Sequence, residues 1–172
     1  VVLVEGTSDQ VALRTLAERR GRDLDAEGVA IVAMGGAQSI GRFLDRFGPR
    51  GLDVPLAGLC DAGEEREFQR ALDRAGMEWL GFYVCVVDLE DELIRALGAP
   101  AVEEVVEAQG ELGAFRTLQK QPAWRGRPVE EQLRRFMGSG GRRKIRYARL
   151  LVEALELGAI PRPLDDVLAR VT

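Results

Sequence analysis

Eight carboxylates, Glu5, Asp9, Asp61, Glu64, Glu65, Asp88, Glu90 and Asp91, follow directly on three short apolar runs, and they define the chemistry open to this chain. The chain contains no histidine, which removes Ser-His-Asp and Cys-His nucleophilic schemes, histidine general bases and His-ligated zinc. Two cysteines, Cys60 and Cys85, are too few for a four-cysteine zinc site. Oxygen-only donor sets suit hard divalent cations, Mg²⁺ or Mn²⁺, which keep some of their waters and are completed by substrate phosphates. No GxxxxGK[ST] loop is present, so this chain does not hydrolyse ATP through a P-loop.

A second cluster has the opposite sign. Arg134, Arg135, Arg142, Arg143, Lys144, Arg146 and Arg149 fall in a stretch without an acid, and a flexible Gly138-Ser139-Gly140-Gly141 loop is expected just ahead of Arg142. The ordinary reading of such a run is a solvated helix face. The functional one is phosphate binding, since exposed backbone N–H groups beside Lys and Arg hold phosphates well. The net charge of −4 disfavours a nucleic-acid partner when averaged over the chain.

The elements that must position these residues alternate. Val1–Val4, Val29–Met34, Val54–Cys60 and Gly81–Val87 read as buried strands. Between them lie helices from Ser8 to Arg20, with Thr7 or Ser8 as N-cap, from Ile40 to Phe47 behind Ser39, and from Glu64 to Ala75. Strands alternating with helices of about a dozen residues predict a doubly wound parallel sheet over residues 1–97, with helices on both faces. In parallel strands all carboxyl ends share one edge, which is where ligands bind in open α/β sheets. Glu5 and Asp61 are therefore expected side by side there. Asp9, in the first helical turn, also has a plain role as complement to the helix dipole. Gly35-Gly36-Ala37-Gln38-Ser39 reads either as a strand-to-helix turn or as a backbone cradle for phosphate.

Residues 98–172 read as a helical extension, with segments near 101–109, 112–119, 129–136 and 143–157 and a last one after Pro161-Arg162-Pro163. At 172 residues one domain can bury a sizeable core without staples. Cys60 and Cys85 are expected as small buried hydrophobes, and with no signal peptide and no long apolar run the expected setting is the cytoplasm, without a membrane partner. The chain opens on Val, as expected of a segment of something longer.

Glu5-Gly6-Thr7-Ser8-Asp9, the Gly35-Gly36 turn, Asp61 after a third strand, Asp88-Leu89-Glu90-Asp91 and Gly141-Arg142-Arg143-Lys144-Ile145-Arg146-Tyr147-Ala148 together resemble a TOPRIM domain. Within that superfamily they are most similar to the OLD (overcoming lysogenization defect) family of ATP-dependent endonucleases. The resemblance implies two-metal cleavage of DNA, or of RNA, with Mg²⁺ or Mn²⁺ held by Glu5, Asp9, Asp61, Asp88 and Glu90. Glu5 and Lys144 would be catalytic, and Arg142, Arg143 and Arg146 would bind nucleic acid. It also implies an ABC-type ATPase in cis or in trans, and leaves a homodimer open. One position departs from the superfamily pattern: Gly63 stands where Asp-x-Asp would place a second acid. Two alternatives follow, an inactive TOPRIM module that binds nucleic acid or a partner protein, and a phospho-acceptor receiver domain with Asp61 as acceptor.

Overall fold

The computed structural model describes residues 1–171. Its centre is a wholly parallel sheet of β1 (Val2–Val4), β2 (Ile31–Ala33), β3 (Ala57–Cys60) and β4 (Phe82–Val84), in the order β2-β1-β3-β4. Val2 is in register with Ile31 and Ala57, and Cys60 with Val84. The strands are shorter than their apolar runs: β1, β2 and β4 have three residues each and β3 has four. Val54–Leu56 stay outside the ladder, which opens where the Ala57 N–H meets the Val1 carbonyl.

Three helices return the chain between strands: α1 (Thr7–Arg19), α2 (Ile40–Phe47) and α3 (Glu65–Ala75). The connection through α1 leads from β1 to one neighbour, and later connections build outward from β3 on the other side. The winding therefore reverses between β1 and β3, and a crevice opens at their carboxyl ends. Alternate side chains enter opposite layers, as the period of two requires. Val2, Val4, Ala57 and Leu59 pack with α1, while Leu3, Cys60 and Phe82 pack with Ile40, Leu44, Phe68 and Leu72 of α2 and α3. Gly58 makes room for that second layer, since a Cβ there would lie 2.5 Å from the Phe82 ring.

The rest of the chain is helical: α4 (Leu89–Leu97), α5 (Ala99–Ala108), α6 (Leu112–Lys120), α7 (Val129–Gly138), α8 (Gly141–Ala154) and α9 (Arg162–Arg170). α8 packs on α1, α4 and α7, so one apolar core runs from β1 through Leu13 and Leu16 to Tyr147, Leu151 and Val152. Arg19 reinforces the contact by donating to the Val152 and Leu155 carbonyls at the end of α8 (both 2.6 Å). Such orphan carbonyls commonly accept from basic side chains.

Three local expectations are corrected. The N-cap of α1 is Gly6, not Thr7 or Ser8, because the Asp9 carboxylate reaches back to the Gly6 N–H (2.9 Å) and satisfies the helix start from within. The glycine-rich segment is not a flexible loop: Gly138 ends α7 and Gly141 opens α8, leaving Ser139 and Gly140 as a tight link. Gly140 has φ 147°, a conformation that favours glycine. α5 begins at Ala99 with Pro100 in its first turn, where a missing N–H costs nothing.

Candidate active site

The crevice at the β1/β3 switch point is built from strand ends outward. β1 delivers Glu5, β3 delivers Asp61, and the Asp61 N–H donates to Glu5 Oε1 (2.8 Å). Gly35 and Gly36 lie beside them with φ of 78° and 121°, and both N–H groups donate to the Glu5 carbonyl (3.0 and 2.9 Å). The glycine turn thus holds the backbone of Glu5. Its two donors are used within the protein, so of the two readings of this segment the turn describes the geometry. Asp9 enters from the first turn of α1, and Lys144 from α8. Glu5, Asp9, Asp61 and Lys144 line one cavity of about 360 Å³.

Crowding shows in the proton affinities. Burial, then the charges of Glu5, Asp9 and Asp88, push the Asp61 carboxyl up to about 8, against a weaker opposing pull from Lys144. Burial also raises Glu5 and Asp9 above the usual carboxylate range. Lys144 is lowered by its own burial, but Glu90 and Asp9 outweigh that and its affinity for the proton is raised overall. Its ammonium stays charged at any physiological pH.

The Asp88–Asp91 segment opens α4 on the other side of Asp61. Asp88 is the N-cap: Oδ1 accepts from the Asp91 N–H (2.9 Å), and Oδ2 accepts from Arg134 Nε of α7 (2.7 Å). Glu90 is 6% exposed, and its Oε2 lies 3.4 Å from Lys144 Nζ. Its Oε1 is buried and has no hydrogen-bond partner among the described residues, an arrangement that normally costs about 1–3 kcal/mol. Burial raises Glu90 as well.

The basic residues divide. Arg143 and Arg146 both pair with Glu111, which also accepts from the Tyr147 hydroxyl (2.7 Å). Arg143 further lies 4.3 Å from the Phe136 ring centre and donates to Ser139 Oγ (2.8 Å). Arg142 is exposed and, among the described residues, makes no ion pair. Of the sequence-predicted site residues, Glu5, Asp9, Asp61 and Lys144 therefore share one cavity, and Asp88 and Glu90 adjoin it. Arg143 and Arg146 are bound into the helical layer. The Arg134–Asp88 pair and the Glu111 knot went unseen in the sequence, where only the basic run hinted at Arg134.

Among the described residues no three His, Cys, Asp or Glu side chains stand close enough to hold a metal ion as they lie. Glu5 is turned toward the Asp61 amide and Asp9 toward the Gly6 amide, so the carboxylates are not gathered into a cage. By chemistry the donor set nevertheless fits a hard cation: all oxygen, crowded, and reluctant to be ionised without a counter-charge.

Residues 1–62 match the family model of the overcoming lysogenization defect protein-like TOPRIM domain. That segment is similar to an OLD-like TOPRIM domain. The whole architecture of the chain is also similar to solved structures. The C-terminal region of the Burkholderia pseudomallei OLD protein superposes with a TM-score of 0.73 at 20% identity, over 99% of this chain and 94% of that one. The C-terminal region of the Xanthomonas campestris pv. campestris OLD protein gives 0.74 at 23% identity, over 99% and 90%. No curated protein matches the chain. TOPRIM is a nuclease-associated fold, and its domains generally bind divalent metals. Glu5, Asp9 and Asp61 fall inside the matched segment, whereas Asp88, Glu90, Arg134 and Lys144 lie in the part aligned by fold alone. No helix among the described residues is long and apolar enough to cross a membrane.

Proposed function

We propose that this domain is a divalent-cation-dependent nuclease that cleaves phosphodiester bonds in DNA. The observation that carries the reading is the crowding of Glu5, Asp9 and Asp61 beside Lys144 at the switch point, with Asp61 pushed up to about 8. Structural carboxylates settle near partners that lower their proton affinity; these do the reverse.

Glu5, Asp9 and Asp61 would hold Mg²⁺ or Mn²⁺, which when bound supplies neutralisation of the phosphate and a more acidic water. Glu5, fixed through its own carbonyl and Oε1, would take the proton from an attacking water. Lys144 offsets charge growing on the phosphate, and Glu90 limits where its ammonium can sit. The unpartnered Glu90 Oε1 is a further oxygen donor at this edge. Gly63 favours a second reading, a module that binds nucleic acid or a partner without cutting.

Nicking of supercoiled plasmid with Mg²⁺ or Mn²⁺, run beside melting curves, separates the two. Metal at a hundred times its Kd should stabilise the fold by about 2.7 kcal/mol, a rise in melting temperature of roughly 5–10 °C for a chain of this size. Glu5→Ala and Asp61→Ala should abolish both nicking and the shift. Plasmid binding without metal-dependent nicking or stabilisation would establish the non-cutting module.

A further inference from the structure

The far side of Asp61 differs from the near side. A cavity of about 370 Å³ lies there, lined by Asp61, Gly63, Glu64, Asp88 and Arg134. Asp88 has little left to offer a cation, since one oxygen is committed to the Asp91 N–H and the other to Arg134. Position 63 supplies no donor, although a Cβ there would meet nothing within 4 Å, so the space is open. A guanidinium, its charge partly offset by Asp88, already stands in the cavity. Arg134 presents it with Nε bonded to Asp88, while its Nη groups make no hydrogen bond among the described residues and its side chain is 44% exposed. A guanidinium anchored by Nε keeps a planar fork of N–H groups that matches two phosphate oxygens.

We propose that Arg134 takes the place of a second divalent cation, binding the scissile phosphate on the Asp88 side while a single cation sits between Glu5, Asp9 and Asp61. This rests on the nuclease reading and refines it to one metal plus one arginine. A second cation in the far cavity would have to bind beside the guanidinium with Asp61 and Glu64 as its remaining carboxylates, and like-charge repulsion opposes it. α7 holds the arginine against α4, so the positive charge is fixed before substrate arrives.

Mn²⁺ stoichiometry, by calorimetry and by electron paramagnetic resonance of free ion, provides the test. The wild-type domain should bind one Mn²⁺. Arg134→Gln, which frees Asp88 beside Asp61, should bind two and lose at least tenfold in cleavage rate. Arg134→Lys should stay at one. Two Mn²⁺ in a cleaving wild-type domain would overturn the arginine proposal alone, and Arg134→Gln with one Mn²⁺ and wild-type cleavage would do the same. A wild-type domain that binds no Mn²⁺ and does not cleave would overturn the nuclease reading with it. Circular dichroism of each variant checks the fold, and if Arg134→Gln does not fold, the wild-type and Arg134→Lys counts still decide.

Discussion

At the carboxyl edge of the sheet, Glu5, Asp9 and Asp61 line one cavity with Lys144, and every one of the three acids binds its proton more tightly than usual. In the helical layer Glu111 receives Arg143, Arg146 and the Tyr147 hydroxyl. Burial works against Glu111 too, yet those three donors outweigh it and hold the carboxyl below its usual range. Both regions gather charge out of water. One completes its own electrostatics; the other leaves a deficit of positive charge that only a cation or a changed pH can fill. The folded chain tolerates that deficit at the crevice its topology opens between β1 and β3.

The largest effect that separates the two regions should come from Lys144→Ala. Loss of a preorganised positive group at the reacting phosphate costs about 10²–10³-fold in rate. DNA affinity should stay near wild type, because in the proposed role the ammonium acts mainly on charge that develops in the transition state. Single-turnover cleavage and binding measured side by side check this, and a loss confined to binding would refute a catalytic Lys144.

A smaller effect distinguishes the regions by sign. Without metal, Asp61 binds its proton more tightly folded than unfolded, so the folded state is favoured at low pH. That stability is lost as pH rises from the ordinary aspartate range toward about 8. Glu111 contributes the opposite slope: its stability is present above the usual glutamate range and is lost as pH falls through its depressed value. Urea titrations from pH 3 to pH 9 should show Asp61→Asn flattening the alkaline limb and Glu111→Gln the acid limb. Interchanged effects would break the comparison.

The smallest effect is expected at Arg142, which belongs to neither network. Arg142→Ala should leave stability within about 0.5 kcal/mol and reduce the salt dependence of DNA binding by about one unit of slope. Fluorescence anisotropy at several salt concentrations measures it.

The sheet edge was legible in the sequence because parallel strands bring their carboxyl ends to one side, so apolar runs ending in Glu5 and Asp61 fix both acids without knowledge of strand order. Asp9 and Lys144 followed from helix position and from the resemblance. The Glu111 knot was not legible: it joins residues 32 to 36 positions apart across two helical elements, and no spacing rule pairs them. The Arg134–Asp88 pair, 46 positions apart, was hidden in the same way. Gly6 as N-cap escaped because Ser and Thr normally lead at that position, whereas here an acid in the third helical position satisfies the amide.

α9 has a consequence for how the chain is made. Leu164, Val167 and Leu168 are fully buried, and the helix lies against β3, β4 and α1. The four strands precede α9 along the chain, so during synthesis the side of the sheet against which α9 packs lacks that cover until residues 162–170 have emerged. A nascent chain halted before Arg162 leaves the apolar surface that α9 covers on β3 and β4 open to chaperones and proteases.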